Sequence, residues 1–300
     1  MTASFSETFR FTWSVPEAGF EWRKSAFDSD LHLVRANAER TTAHKRYKPL
    51  EEFPALHRIF AFVQEDEESI RRFANLYGNI GSRYGFPVLF LQFPPGMTDG
   101  TYGDATLQSW KAEIRAMRAL VELWDAIKNQ DLDKLKTVIS WSENGAVGYK
   151  VTRAEGGVSV TLAHPDFEKD RSVLKRLRRG RVLKAARYAL REEIDKKIES
   201  FPTTLHLVWA RGREGGRYDP PPIPDHHLRM VLEPHDLLGA MWLQFAQSVV
   251  GPYELRQCAA PGCERYFQAG PGGTRSHAKT CCTACRKRLS RFNKRAKSLC

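Results

Sequence analysis

Cysteine is absent from the first 257 residues of this 300-residue chain, and all six of its cysteines follow. A body stapled by disulfides is therefore excluded. Also missing is any run of about 18 consecutive apolar residues, the length a helical membrane span requires. The opening, MTASFSETFRFTW, has no apolar run of signal length behind a basic start. The expectation is a soluble, cytoplasmic protein with no membrane partner. No HExxH, no GxSxG and no glycine-rich phosphate loop occurs, and no carboxylate pair stands out. These gaps point away from an enzyme. The competing reading is a nuclease or hydrolase whose site is assembled from distant residues of the body, with a basic tail delivering the substrate.

What is present can bury a large core. Hydrophobic residues make up 42% of the chain, and its formal charge is +12. The charge is concentrated, because eleven Lys or Arg face two acids between Gly251 and Cys300, leaving the first 250 residues nearly neutral. A small cationic segment behind a neutral body suits an anionic polymer, whose phosphates release counterions when several cations meet them together.

The pattern along the body predicts a mainly helical α+β domain over residues 1–250. Short β-prone runs occupy Phe5 to Val34. Helical spacing joins Leu56, Ile59, Phe60 and Val63, and then Ile70, Phe73, Ala74 and Tyr77 before a stop at Gly78. The acids Glu65 to Glu68 read as a solvated helix start favoured by the helix dipole rather than as a catalytic cluster. The clearest helix runs from about Leu107 to Lys128, where Leu107, Trp110, Ile114, Met117, Val121 and Trp124 form a seam that faces the core or, alternatively, a homodimer partner. Val147 to Thr152 and Val158 to Leu162 flank Glu155-Gly156-Gly157 as a β-hairpin. Beyond Gly180, Leu183, Ala186, Leu190 and Ile194 share a helical face, preceded by a basic cluster of Lys175, Arg176, Arg178, Arg179 and Arg181 that reads as solvated surface or, alternatively, as an auxiliary phosphate-contacting patch. LHLVWA is strand-like, and the Gly- and Pro-rich run after it has no regular structure. His226, His227 and His235 lack a metal-site spacing. Leu237, Met241, Phe245 and Val249 then mark a strongly apolar core helix.

The last segment, residues 251–300, carries the chemistry. Zn²⁺ takes four ligands as two close pairs, each fixing one turn of backbone. Cys258 and Cys263 enclose AAPG, a turn-forming tetrapeptide, and make the first pair. The second pair is Cys285 with either Cys281 or Cys282, since both lie one helical turn upstream of it. His277 is a weaker ligand candidate, and Cys300 stands apart. Cys285, Leu289, Phe292 and Ala296 form an apolar stripe predicted to face the knuckle, while Arg286, Lys287, Arg288, Arg291, Lys294, Arg295 and Lys297 cover the rest of the helix. Arg275 and Lys279 add charge ahead of it. So short and charged a segment lacks the apolar mass for a core of its own, and a structural metal supplies the missing folding free energy.

The run C-x4-C-x3-F, a basic linker, and then C-x3-C-R-x-R with a basic tail resembles the CGNR zinc finger found behind an ABATE domain in a family of bacterial proteins. YKPLEEFPALHRIFAF, RRFANLYGNIG and LLGAMWLQFA are similar to the helical body of that family. The resemblance implies a small zinc-ribbon-like module ligated by Cys258, Cys263, Cys281 and Cys285, and a role as a DNA-binding transcription regulator. The family's Cys-Gly-Asn-Arg stands here as Cys285-Arg286-Lys287-Arg288, so the first and last positions match and the middle pair does not. Phe267 occupies the place of the family aromatic and is expected to pack over the knuckle. RNA is the second polymer, a protein-interaction module is the competing non-enzymatic role, and the body is large enough to sense a small ligand.

Overall fold

The computed structural model describes residues 11–24, 30–36, 43–80, 105–141, 147–152, 158–163, 177, 180–201, 203–209, 228–251, 254–263, 265–270 and 277–297. For 151–152, 158–163, 208–209, 228–229 and 295–297 it gives the backbone alone. The fold is α+β. Antiparallel strand pairs accompany the helices: β1 (Trp13–Pro16) with β4 (His44–Tyr47), β2 (Phe20–Lys24) with β3 (Leu31–Arg35), β8 (Thr203–Trp209) with β9 (Leu228–Pro234), and β10 (Glu254–Gln257) with β11 (Tyr266–Ala269). A three-stranded sheet joins β5 (Ile139–Trp141), β6 (Val147–Thr152) and β7 (Val158–Ala163).

The helices begin where their sequence provides a cap. Short α1 (Pro49–Glu52) carries proline at its first position, where the missing N–H costs nothing, and is followed by α2 (Leu56–Ala61). Asp66 accepts from Ser69 N at 2.8 Å to start α3 (Glu67–Tyr77), and Gly78, at φ 98°, ends it. Thr106 caps α4 (Leu107–Lys128), Asp131 caps α5 (Leu132–Val138) and Asp236 caps α7 (Leu237–Val250) in the same way. Each side-chain oxygen satisfies a backbone N–H that the first turn leaves orphaned. α6 (Val182–Ser200) instead follows Gly180, which holds φ at 97°.

α4 lies at the centre. Leu107, Trp110, Ile114, Met117 and Val121 are buried against α2, α3 and α6, so the seam faces the core. The acids at 65–68 have structural roles: Glu65 binds Arg115 at 2.6 Å and Arg118 at 3.0 Å, while Asp66 caps. α7 closes the body through Gln244. Its Oε1 receives the backbone N–H of His57 at 3.1 Å and lies 2.9 Å from Nδ1, and its Nε2 donates to Phe53 O at 2.8 Å. Burial, helped by the Arg58 charge, outweighs the Gln244 hydrogen bond and Asp125 and lowers the His57 pKa to about 4, so the ring is neutral in the folded protein at neutral pH. No helix among the described residues is long and apolar enough to cross a membrane. Lys175, Arg176, Arg178, Arg179, His226 and His227 lie outside the described residues.

Candidate metal centre and its basic helix

The candidate centre is built from the β10–β11 hairpin and the first turn of α8 (Thr283–Lys297). Cys258 directly follows β10, and Cys263 sits just ahead of β11. Between them the chain reverses within four residues. Cys263 N donates to Ala260 O at 3.0 Å, and Gly262 takes φ 68°, a left-handed conformation that favours glycine. Cys258 N donates to Arg265 O at 2.9 Å, which closes the knuckle on the outgoing strand. Ala259 N donates to Lys279 O at 2.9 Å and Arg256 donates to Ala278 O at 3.3 Å, so the returning chain is stitched to the hairpin just before the second pair.

That stitching delivers Cys281 and Cys285 to the knuckle. The sulfurs of Cys258, Cys263, Cys281 and Cys285 all lie within 4.8 Å of one another. Cys281 Sγ is 3.8 Å from Cys263 Sγ and 3.6 Å from Cys285 Sγ. Sulfurs placed about 2.3 Å from a common centre in a tetrahedron stand about 3.8 Å apart. The spacing therefore fits one metal ion held by four thiolates. Cys282, the alternative left open by spacing, is exposed, and so is His277; Cys300 lies outside the described residues.

The electrostatics call for a cation. Burial opposes ionisation of Cys258, but the N–H of Cys281, 3.4 Å from its sulfur, and the neighbouring thiols outweigh that and bring it down to about 7. Burial and the surrounding thiols push Cys281 well above the ordinary thiol value, and Cys285 is pushed up to about 11, chiefly by Cys282 and Cys263. Thiols this close cannot all ionise unless a positive charge sits among them. With all four positions supplied by the protein, a bound metal would cross-link the hairpin to the helix and leave no open coordination site for catalysis.

A separate small core backs the centre. Cys258, Ala260, Phe267, Ala269 and Cys285 are buried together, with Leu289 packed against them. Phe267 takes the place over the knuckle expected of the aromatic. The apolar stripe is realised only in its first half: Cys285 and Leu289 pack inward, but Phe292 is 55% exposed, and the side chain of Ala296 lies outside the described residues. The small buried cluster ends with Cys285 and Leu289, so among the described residues nothing is packed over Phe292 one turn further on.

On the outer face of α8, Arg286, Lys287, Arg288, Arg291 and Lys294 are exposed, as is Lys279 ahead of the helix. Arg288 donates to Pro261 O in the knuckle at 3.3 Å, a positioning contact that sequence spacing does not reveal. Among the described residues, none of the other four helix cations pairs with a carboxylate; Glu254 of the same segment is engaged by Arg256 at 2.6 Å and Lys128 at 3.3 Å. Arg275 lies outside the described residues, and Arg295 and Lys297 are placed by backbone alone. Neither a family model, a curated protein nor a solved structure matches this chain.

Proposed function

We propose that the chain is a zinc-stabilised nucleic-acid-binding protein, residues 251–300 forming the binding module and residues 1–250 the body that carries it. More finely, the reading is a cytoplasmic DNA-binding transcription regulator of the ABATE/CGNR kind, acting by binding rather than by catalysis. The observation that carries the proposal is the coupling of two features. Four thiols at metal-ligand spacing surround the start of a helix, and that same helix presents Arg286, Lys287, Arg291 and Lys294 without carboxylate partners among the described residues. Zinc suits an all-thiolate tetrahedron, and fixed guanidinium and ammonium groups suit phosphates. Four thiolates around a divalent ion leave a net charge of about −2, so part of the surrounding basic charge offsets the centre itself. The outer face of α8 then supplies the polymer contacts.

Exposed Phe292 favours a second ligand class. An aromatic ring beside Arg291 and near Lys294 can stack an unpaired base, which duplex DNA does not offer. Titrating the intact protein with duplex DNA, single-stranded DNA and RNA of equal length at rising salt distinguishes the cases. Affinity should fall steeply with salt, and Arg291→Gln with Lys294→Gln should flatten the log–log slope by roughly 2. Phe292→Ala should weaken single strands alone if stacking contributes. Absence of binding to every polymer at low salt would remove the proposal.

A further inference from the structure

Away from the cysteines, helices α4, α6 and α7 leave a groove of about 550 Å³ between them. Its floor comes from Ile127 of α4, Leu190 and Ile194 of α6 and Leu243 of α7, each itself well buried. Trp124 and Ala246 extend the apolar walls. A volume of this size suits a small molecule better than a folded partner. No side chain of the described residues fills the trough between the three helices.

The mouth of the groove is cationic but mostly neutralised. Lys128 is held by Glu254 at 3.3 Å, and Arg191 by Glu192 and Asp195. Arg187 differs, since it is exposed and pairs with no carboxylate among the described residues. An apolar trough with one uncompensated guanidinium at its rim is complementary to a molecule with an alkyl chain and a single anionic head. We propose that this groove binds a single-chain amphiphile ending in a carboxylate, its chain lying along Leu190, Ile194 and Leu243 and its head at Arg187. The site is independent of the nucleic-acid reading and stands or falls separately from it.

Calorimetry with the intact protein tests the assignment, using octanoate, decanoate and dodecanoate below their micelle concentrations, with dodecanol as the uncharged probe. Each added methylene should tighten binding about fourfold until the trough is filled. Dodecanol should bind at least about tenfold more weakly than dodecanoate, the scale of one charge-assisted contact, and Arg187→Gln should erase that difference. Ala246→Phe should obstruct the chain. Val250→Glu, at a groove residue that is 81% exposed and so safe for folding, should weaken dodecanoate by placing a like charge beside it. No saturable dodecanoate binding, equal binding of dodecanol, or full binding by both the Arg187 and Val250 variants would overturn the proposal.

Discussion

Single residues divide the five described cysteines of the last segment into two kinds. Cys258, Cys263, Cys281 and Cys285 converge, and Cys282 faces solvent. Cys285→Ser should therefore lose the bound metal, measured by elemental analysis, and make the chain beyond Gly251 sensitive to protease. Cys282→Ser should keep both the metal and the protection. A Cys285→Ser protein with a full complement of metal would show that these four sulfurs are not the ligand set. A second test concerns Asp236, which burial and nearby Glu113 raise to about 6 even though the Gly239 N–H and His235 oppose the shift. Its folded pKa lies above the unfolded value, so its contribution is complete below about pH 4 and is lost as pH rises through 6. His57, lowered to about 4, acts in the opposite sense, its contribution complete above about pH 6.5 and lost as pH falls toward 4. The two slopes oppose each other between about pH 4 and 6. Asp236→Asn keeps a good cap for α7 and removes one of them, so stability should rise more steeply with pH across that window. At pH 7 the variant should be the more stable by on the order of 2 kcal/mol. Melting curves that stay parallel to those of the parent from pH 4 to 7 would contradict this.

At the scale of elements, the sequence was most informative where local chemistry decides the structure. The helix Leu107–Lys128 has the expected ends, because a regular apolar seam and a threonine cap specify it without help from distant residues. The hairpin of β6 and β7 was legible for the same reason, through alternation on either side of a glycine turn. β4, HKRY, was not: three of its four residues are exposed and charged or polar, and only pairing with β1 makes it a strand. β9 was hidden because its partner β8 lies across the Gly- and Pro-rich run. The metal ligands were narrowed by spacing to one ambiguity, which the fold resolves by directing Cys281 inward. The outward turn of Phe292 was not legible, since a helical repeat says which residues share a face but not where the opposing surface ends. Gly78 gives the test suited to this scale. It ends α3 at φ 98°, and a Cβ there would run into the Trp13 indole, so Gly78→Ala combines backbone strain with a clash. We expect a loss of about 2–4 kcal/mol in denaturant unfolding; a loss under roughly 0.5 kcal/mol would mean that β1 shifts freely.

For the whole molecule, two hydrophobic clusters are distinct, one drawn from Phe11 through Phe245 and a smaller one from Cys258 through Cys285. Metal removal should therefore affect them unequally. All seven tryptophans lie at or before Trp242, so their emission reports the body alone. On chelation, tryptophan emission and its melting transition should persist, while protease cutting and amide exchange after residue 251 increase. Loss of the tryptophan transition on chelation would show that the body depends on the metal. Binding of metal should also weaken as pH falls, because each ligand thiol must release its proton.

The amide of Gln244 has a consequence for folding speed. It joins α7 to His57 and Phe53, partners 187 and 191 residues earlier in the chain. Contacts of such sequence separation incur a large loop-closure entropy before they return any stabilisation, so the body should fold slowly for its helical content. The same closure limits escape. α7 ends at Val250 and β10 begins at Glu254, and the inner half of α7 carries Met241, Trp242 and Phe245, all fully buried, so that half opens only with the body core. The cationic helix thus follows a part of the body that opens slowly, while its own order depends on the metal, so two separate events, loss of the metal and opening of the body, can release it.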